Sequence, residues 1–349
     1  MKVLVTGAGG LIGSATVDAV LAAGHEPVAM LRPRGDDRAL GASPAQQVRA
    51  DLADPDSLRV AVAGAEVVLH CAAVFSYERD AASLHRANAD GTRALIDAAA
   101  AAGVRRVVVT SSSVTCGSSA GPEARDESDE LAEGPDYFHS KLAQERAARE
   151  AATRTGVELV LACPTVAVGG PDHKLVPSNA ILVRYLLDPS RTTFAGGANV
   201  VGVRDVAAGL VLLAERAEPN RRYLLGGENW SWRLLHTAVS ELAGLPGPFL
   251  TAGTTAAYLA AGLAEAVAAL TSKTPLATRS EALTTGRFHW YDDRRARALG
   301  YTSRPVRQAL AESLAWLSTS EHLPRYVREG LRLAPEVVAA RRLVPVALP

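Results

Sequence analysis

The stretch Lys2-Val3-Leu4-Val5-Thr6-Gly7-Ala8-Gly9-Gly10-Leu11-Ile12-Gly13 sets the architecture of the chain. Its first five residues form a short apolar, β-branched run, the pattern of a strand buried on both faces. Ile12–Ala23 follows with apolar residues at helical spacing. Glycines at 7, 10 and 13 stand between the two. Gly7 permits a tight turn, Gly10 lets backbone approach a pyrophosphate, and Gly13 lets the helix pack close to the sheet. The helix start, at Leu11 and Ile12, offers free N–H groups and partial positive charge to phosphate. Glycine-rich turns are common, so the strand before and the helix after carry the reading.

The alternation continues. Strand candidates are Lys2–Thr6, Pro27–Leu31, Gln47–Ala50, Glu66–Cys71, Arg106–Ser111 and Glu158–Ala162. Helix candidates are Ile12–Ala23, Pro55–Ala63, Ala81–Ala102 and Asp136–Thr155, several ending in a glycine cap. Six βα units in order predict an α/β fold, a Rossmann-type doubly wound parallel sheet. We expect residues 1–165 to form the nucleotide-binding domain, with returning segments around 198–226. Residues 166–197 and 227–330 then make a smaller, mostly helical substrate-binding part, and 331–349 a C-terminal tail. Val206–Arg216 reads as helix, Arg222–Leu225 as a short strand, and 231–318 as mostly helical. Thr254–Leu270 is rich in Ala and Leu, but its 17 residues, interrupted by Glu265, are short for a membrane span. It reads as a core or lid helix.

Composition narrows the function classes. The 349 residues are 48% hydrophobic, enough for a sizeable core. Lys+Arg and Asp+Glu balance at 37 each, which leaves no electrostatic footprint for nucleic acid or an anionic membrane. Cys71, Cys116 and Cys163 are widely spaced, pointing to a reducing compartment without a disulfide framework. Met1 leads straight into the first strand, so no secretion signal is expected and a cytoplasmic location is. His85, His173 and His236 lack ligand-like spacing, and no metal is expected.

The second strand ends in Leu31-Arg32-Pro33-Arg34, where an NAD site usually places Asp or Glu for the ribose 2′-OH. Arg32, with Arg34 beside it, suits a 2′-phosphate, which favours NADP(H) over NAD(H); the competing reading is two solvated loop residues. Asp51 and Leu52 are candidate adenine contacts. Ala72 and Ala73, after His70-Cys71, leave room for a cofactor. Tyr137 and Lys141 are four apart and share a helix face. An ammonium beside a phenol should lower its pKa and make Tyr137 a general acid or base; Lys141 can also donate to ribose hydroxyls. Thr110-Ser111-Ser112-Ser113 ends the fifth strand, where ligands of open α/β sheets sit. Asn88 is expected to open the helix beneath the site. Trp230, Trp232, Phe288 and Trp290 are candidate pocket aromatics.

The ordered motifs TGAGGLIG, ADL, HCAA, NADGT, TSSS, YFHSK and CPTVAVGGPD resemble the extended short-chain dehydrogenase/reductase family. LRPRGDDRAL, YLLGGEN and TPLATRSEAL leading to DDRRARALGY are similar to its branch of dihydroflavonol 4-reductases, 3β-hydroxysteroid dehydrogenases and hopanoid-associated sugar epimerase-like proteins, over about residues 1–318. The resemblance implies Ser112, Tyr137 and Lys141 as catalytic residues, Pro164 closing the sixth strand, Thr165 near the nicotinamide amide, and a homodimer. It also matches Asp205, although Gly202 stands where that motif usually carries His. The usual aromatic near Cys116 is missing, which counts against a sugar-nucleotide substrate. The expected function is NADP(H)-dependent reduction of a ketone or aldehyde on a small, fairly apolar metabolite. Alternatives are an epimerase or dehydratase of a sugar-like substrate, and an inactive NADP-sensing regulator.

Overall fold

A computed structural model describes residues 1–75, 80–271 and 278–343; residues 274–277 of the TPLATRSEAL motif and 344–349 of the tail lie outside it. The first six strands form where the apolar runs predict them: β1 (Lys2–Thr6), β2 (Glu26–Leu31), β3 (Gln46–Arg49), β4 (Val67–His70), β5 (Arg106–Thr110) and β6 (Glu158–Pro164). The second half adds β7 (Val166–Val168), β8 (Thr192–Phe194), β9 (Gly197–Gly202), β10 (Arg222–Leu225), β11 (Glu228–Ser231), β12 (Leu250–Ala252) and β13 (Phe288–His289). The main sheet is parallel, in the order β10-β6-β5-β4-β1-β2-β3. The chain starts at the centre, winds out to β3, then crosses to β4 and winds the other way. That reversal between β1 and β4 opens a crevice at the carboxyl ends of the strands.

The helices are α1 (Leu11–Ala22), α2 (Pro55–Ala61), α3 (Ala81–His85), α4 (Gly91–Ala101), α5 (Asp136–Thr155), α6 (Pro177–Leu187), α7 (Val203–Arg216), α8 (Trp232–Ala243) and α9 (Thr254–Thr271), with four short ones and Val306–Leu317 after them. Strand side chains alternate between faces. Val3, Val5, Leu69 and Val160 pack against Val17, Val20, Val206 and Leu210 of α1 and α7. Leu4, Val68, Val107 and Leu161 pack the other way, against Leu58, Leu95, Ile96 and Ala148 of α2, α4 and α5. Each such fully buried leucine contributes roughly 1.5–3 kcal/mol.

Ala81–Ala102, expected as one helix, is divided. A wide π turn over Arg86–Asp90 separates α3 from α4, and Asn88 sits inside that turn instead of at a helix start. The cause is a side-chain commitment: Asn88 Oδ1 accepts from Val74 N at 2.7 Å, and its Nδ2 donates to Val74 O at 3.0 Å and Ser140 Oγ at 3.1 Å.

Around β9, strands β7, β11 and β13 form a second sheet. Trp316, Leu310, Leu314, Leu235, Val239 and Leu182 fill the core beside it. The stretch 231–318 is less helical than expected, because β12 and β13 interrupt it. Helix Pro335–Ala340 buries Val337 and Ala340 in the same core, so this part of the tail is packed there. Among the described residues, no helix is long and apolar enough to cross a membrane.

Candidate active site

A continuous cleft of about 1820 Å³ runs over the carboxyl ends of the main-sheet strands and on into the second part. At its floor, Gly7 has φ +68°, and a Cβ there would lie 2.7 Å from Ala72 N. A Cβ on Gly13 would lie 2.1 Å from Gly7 O, so only glycine allows this turn to close on α1. The first turn of α1 holds no acidic residue and no side-chain cap. Its leading N–H groups, at Leu11, Ile12 and Gly13, therefore have no partner within the helix. This is a cradle of the size and polarity that a pyrophosphate requires, and the residues fit a dinucleotide.

Arg32, Asp51 and Leu52 line one end of the cleft; Arg34 is exposed and does not. Arg49 anchors the Arg32–Asp37 loop, donating to Gly35 O at 2.7 Å and Arg32 O at 3.2 Å. Asp36 also faces the cleft, but both its oxygens accept from Arg38, and that contact holds its carboxyl down to about 2. Lys174, which the sequence reading overlooked, lines the cleft near Arg32. Burial, and next the Arg32 charge, push its ammonium below the usual lysine range. Among the described residues neither Arg32 nor Lys174 makes an ion pair, and they share this end of the cleft with Asp36 and Asp51.

Ser112, Tyr137 and Lys141 converge on the middle of the cleft. Ser112 caps the turn Ser113–Cys116 and lies near enough to Tyr137 to draw its phenol's pKa down. Its neighbours point elsewhere: Ser111 Oγ donates to buried Glu145 at 2.6 Å, and Ser113 meets Tyr291. Phe75 stacks on Tyr137 at 4.5 Å between centroids. Tyr137 is buried, and burial pushes its phenol well above the usual range, with Ser112 opposing. The expected lowering by Lys141 is not seen. Lys141 Nζ donates instead to Thr110 O at 2.8 Å and Gln144 Oε1 at 2.5 Å. Burial pushes that ammonium down to about 8, with Glu145 opposing.

Gln144 belongs to a buried chain of hydrogen bonds missed in the sequence, although it follows Tyr137 and Lys141 on the same helix face. Gln144 Nε2 donates to Thr92 Oγ1 at 2.8 Å, and Thr92 Oγ1 donates to Asn88 O at 2.7 Å. His70 bridges Thr92 and Thr6 at 2.9 and 2.8 Å, and Thr6 Oγ1 accepts from Ala72 N at 3.2 Å. Burial pushes His70 down to about 3, so it is neutral at pH 7. The chain closes with the proton assigned to Nε2, which satisfies every member. His70 thus ties β4 and β1 to Lys141 through two intermediaries, Thr92 and Gln144.

Ala72, Ala73, Pro164 and Thr165 line the cleft, the Thr165 hydroxyl bonding Asn199 Oδ1 at 2.8 Å. Asp205 lies away from it, accepting from Arg304 at 2.8 Å. Of the four candidate aromatics only Trp232 lines the cleft; His289 lines it from the strand that Phe288 begins, and Tyr291 from just beyond that strand. Cys71 lines the cleft, while Cys116 and Cys163 are buried beneath it. Burial raises all three thiols, Cys116 to about 12, so they stay protonated and unreactive. Among the described residues no group of His, Cys, Asp and Glu could hold a metal ion.

The model of the NAD dependent epimerase/dehydratase family matches residues 3–226. The chain belongs to that family. It is 31% identical over 323 residues to a putative dihydroflavonol 4-reductase of Synechocystis sp., covering 89% of this chain and 93% of the relative. It is 30% identical to sterol demethylase protein B of Methylococcus capsulatus, covering 90% and 98%. The solved structure of gox2253 superposes with a TM-score of 0.81 at 28% identity, covering 93% of this chain and 99% of that one. As a family member, this oxidoreductase-type chain is built for a nicotinamide cofactor.

Proposed function

We propose that the protein is an NADP(H)-dependent reductase of a ketone or aldehyde on an apolar metabolite. The observation that carries this reading is that Ser112, Tyr137 and Lys141 line one cleft next to the glycine cradle. The bound dinucleotide would supply the hydride to the carbonyl carbon. Ser112 holds the carbonyl oxygen, and Tyr137 delivers the proton to it as the charge develops. The phenol is protonated near neutral pH, as donation to the carbonyl oxygen requires, and burial makes it a weaker acid than a free tyrosine. Solvent returns the proton to Tyr137 between turnovers. Lys141 and Thr165 hold the nicotinamide ribose and amide; Leu11, Ile12 and the glycines take the pyrophosphate; Arg32 and Lys174 take the 2′-phosphate. The named reductase among the relatives supports carbonyl chemistry, and the family resemblance implies a homodimer.

The family's description also favours a second reading, epimerase or dehydratase chemistry with no net use of cofactor. NADPH oxidation followed against a panel of steroid-like, flavonoid-like and alkyl ketones separates the two. The reductase consumes one NADPH per alcohol formed. Product formed from a sugar-like substrate without NADPH loss, on nucleotide that copurifies, would overturn the proposal.

A further inference from the structure

Beyond Tyr137 the cleft continues as a limb between α8, α9 and the β8–β12 pair. One wall is the face of α9 formed by Ala256, Ala257, Ala260 and Ala261, which share a side at helical spacing. These methyl groups give a smooth, uncharged surface about 7–8 Å long. The facing wall is aromatic: Trp232 and Tyr185 line it, with the Tyr185 and His236 rings stacked at 4.2 Å. His236 is neutral at pH 7, being buried and bonded to Thr193 Oγ1 at 2.9 Å. Asp188 at the edge is saturated, accepting from Ser190 Oγ at 2.5 Å, Ser190 N at 2.9 Å and Thr192 N at 2.7 Å. Arg184 is not free either. Leu250, lining the limb, is more than half exposed, so the mouth is apolar too.

The size of the space matters as much as its lining. Sites for one compact ligand measure ~300–1,000 Å³. The whole cleft is about 1820 Å³, which leaves a second volume of comparable size once one end is assigned to a dinucleotide. The limb also carries Asp188, Ser190, Thr192 and Thr251, but these side chains are already hydrogen-bonded within the protein, so the surface left to a ligand is the alanine and aromatic wall, which suits a hydrocarbon.

We propose that this limb binds a linear alkyl tail, making the substrate class a medium- to long-chain ketone or aldehyde whose carbonyl sits at Ser112 and Tyr137. The proposal rests on the carbonyl-reductase reading, and its test separates the two. Straight-chain 2-alkanones from four to twelve carbons are titrated into the NADPH-loaded protein. Binding is read from tryptophan fluorescence, to which Trp232 in the limb wall contributes, and kcat/KM from NADPH oxidation. Affinity and kcat/KM should rise roughly three- to four-fold per added methylene until the limb is filled. Ala260→Phe, at an exposed position, and Ala257→Phe should each cut the twelve- to five-carbon ratio of kcat/KM at least ten-fold. Length-dependent binding without turnover would uphold the limb and refute the carbonyl chemistry. Flat affinity across the series, tighter binding of polycyclic than of alkyl ketones, or equal losses at all lengths in both variants would overturn the limb.

Discussion

Replacing Arg32 by alanine should turn a cofactor preference into near-indifference. Arg32 is exposed at the cleft rim and without an ion pair among the described residues, so its charge is available to a ligand but screened by water. Two unit charges at 4 Å interact by about 4 kcal/mol at an effective dielectric of 20. Desolvation and exposure reduce this to the range of a charged hydrogen bond, about 1.5–3 kcal/mol. At a rim position the lower half applies, or roughly 10–40-fold in the NADPH dissociation constant. NADH lacks the 2′-phosphate and should bind Arg32→Ala within about two-fold of the parent. Lys174→Ala should act the same way more weakly, since burial already disfavours its charge. The assay is calorimetric titration of both nucleotides at two salt concentrations, with the NADPH advantage shrinking as salt rises. Equal losses for NADPH and NADH, or none for either, would refute the placement of a 2′-phosphate at Arg32.

The three serines after β5 should behave differently. Ser112→Ala should lower kcat by roughly 10²–10³ while costing only the ~1 kcal/mol of a lost turn cap. Ser111→Ala removes a short bond to buried Glu145 and should cost about 1–3 kcal/mol of stability in denaturant unfolding, with kcat little altered. Gln144→Leu leaves Lys141 short of an acceptor and Thr92 short of a donor, and should cost a similar amount by the same measurement. Stability should also fall with acid. Burial pushes His70 and His236 down to about 3 and about 4, against ~6.5 when unfolded. His289 is likewise pushed down to about 4 by burial, so between pH ~6.5 and ~4 the unfolded chain binds up to three more protons at these histidines than the folded one. Stability drops as pH falls through that window by up to ~4.1 kcal/mol per unit; urea midpoints that stay flat from pH 7 to 5 would contradict this.

The parallel sheet was legible because its strands are buried on both faces and read as unbroken Val and Leu runs. The glycine turn was legible because Gly7 and Gly13 have no substitute at contacts under 3 Å. The second half was less so: β12 and β13 are three and two residues long, too short for a period to register, and their pairings join distant segments. The choice of Ser112 among three serines came from resemblance; all three line the cleft, and local sequence does not rank them. Lys174 and Phe75 reach the cleft from loops and carry no local signature. The direction of the Tyr137 shift was misread because spacing places Lys141 on its face without saying where the ammonium points. Here Thr110 O and Gln144 take it, and burial decides the phenol.

The most direct measurement is the rate of NADPH oxidation with a reducible ketone by the parent and by Tyr137→Phe, alongside NADPH affinity for each. The account predicts a fall in kcat of about 10²–10⁴ with the NADPH dissociation constant unchanged. Turnover by Tyr137→Phe at the parental rate would contradict it.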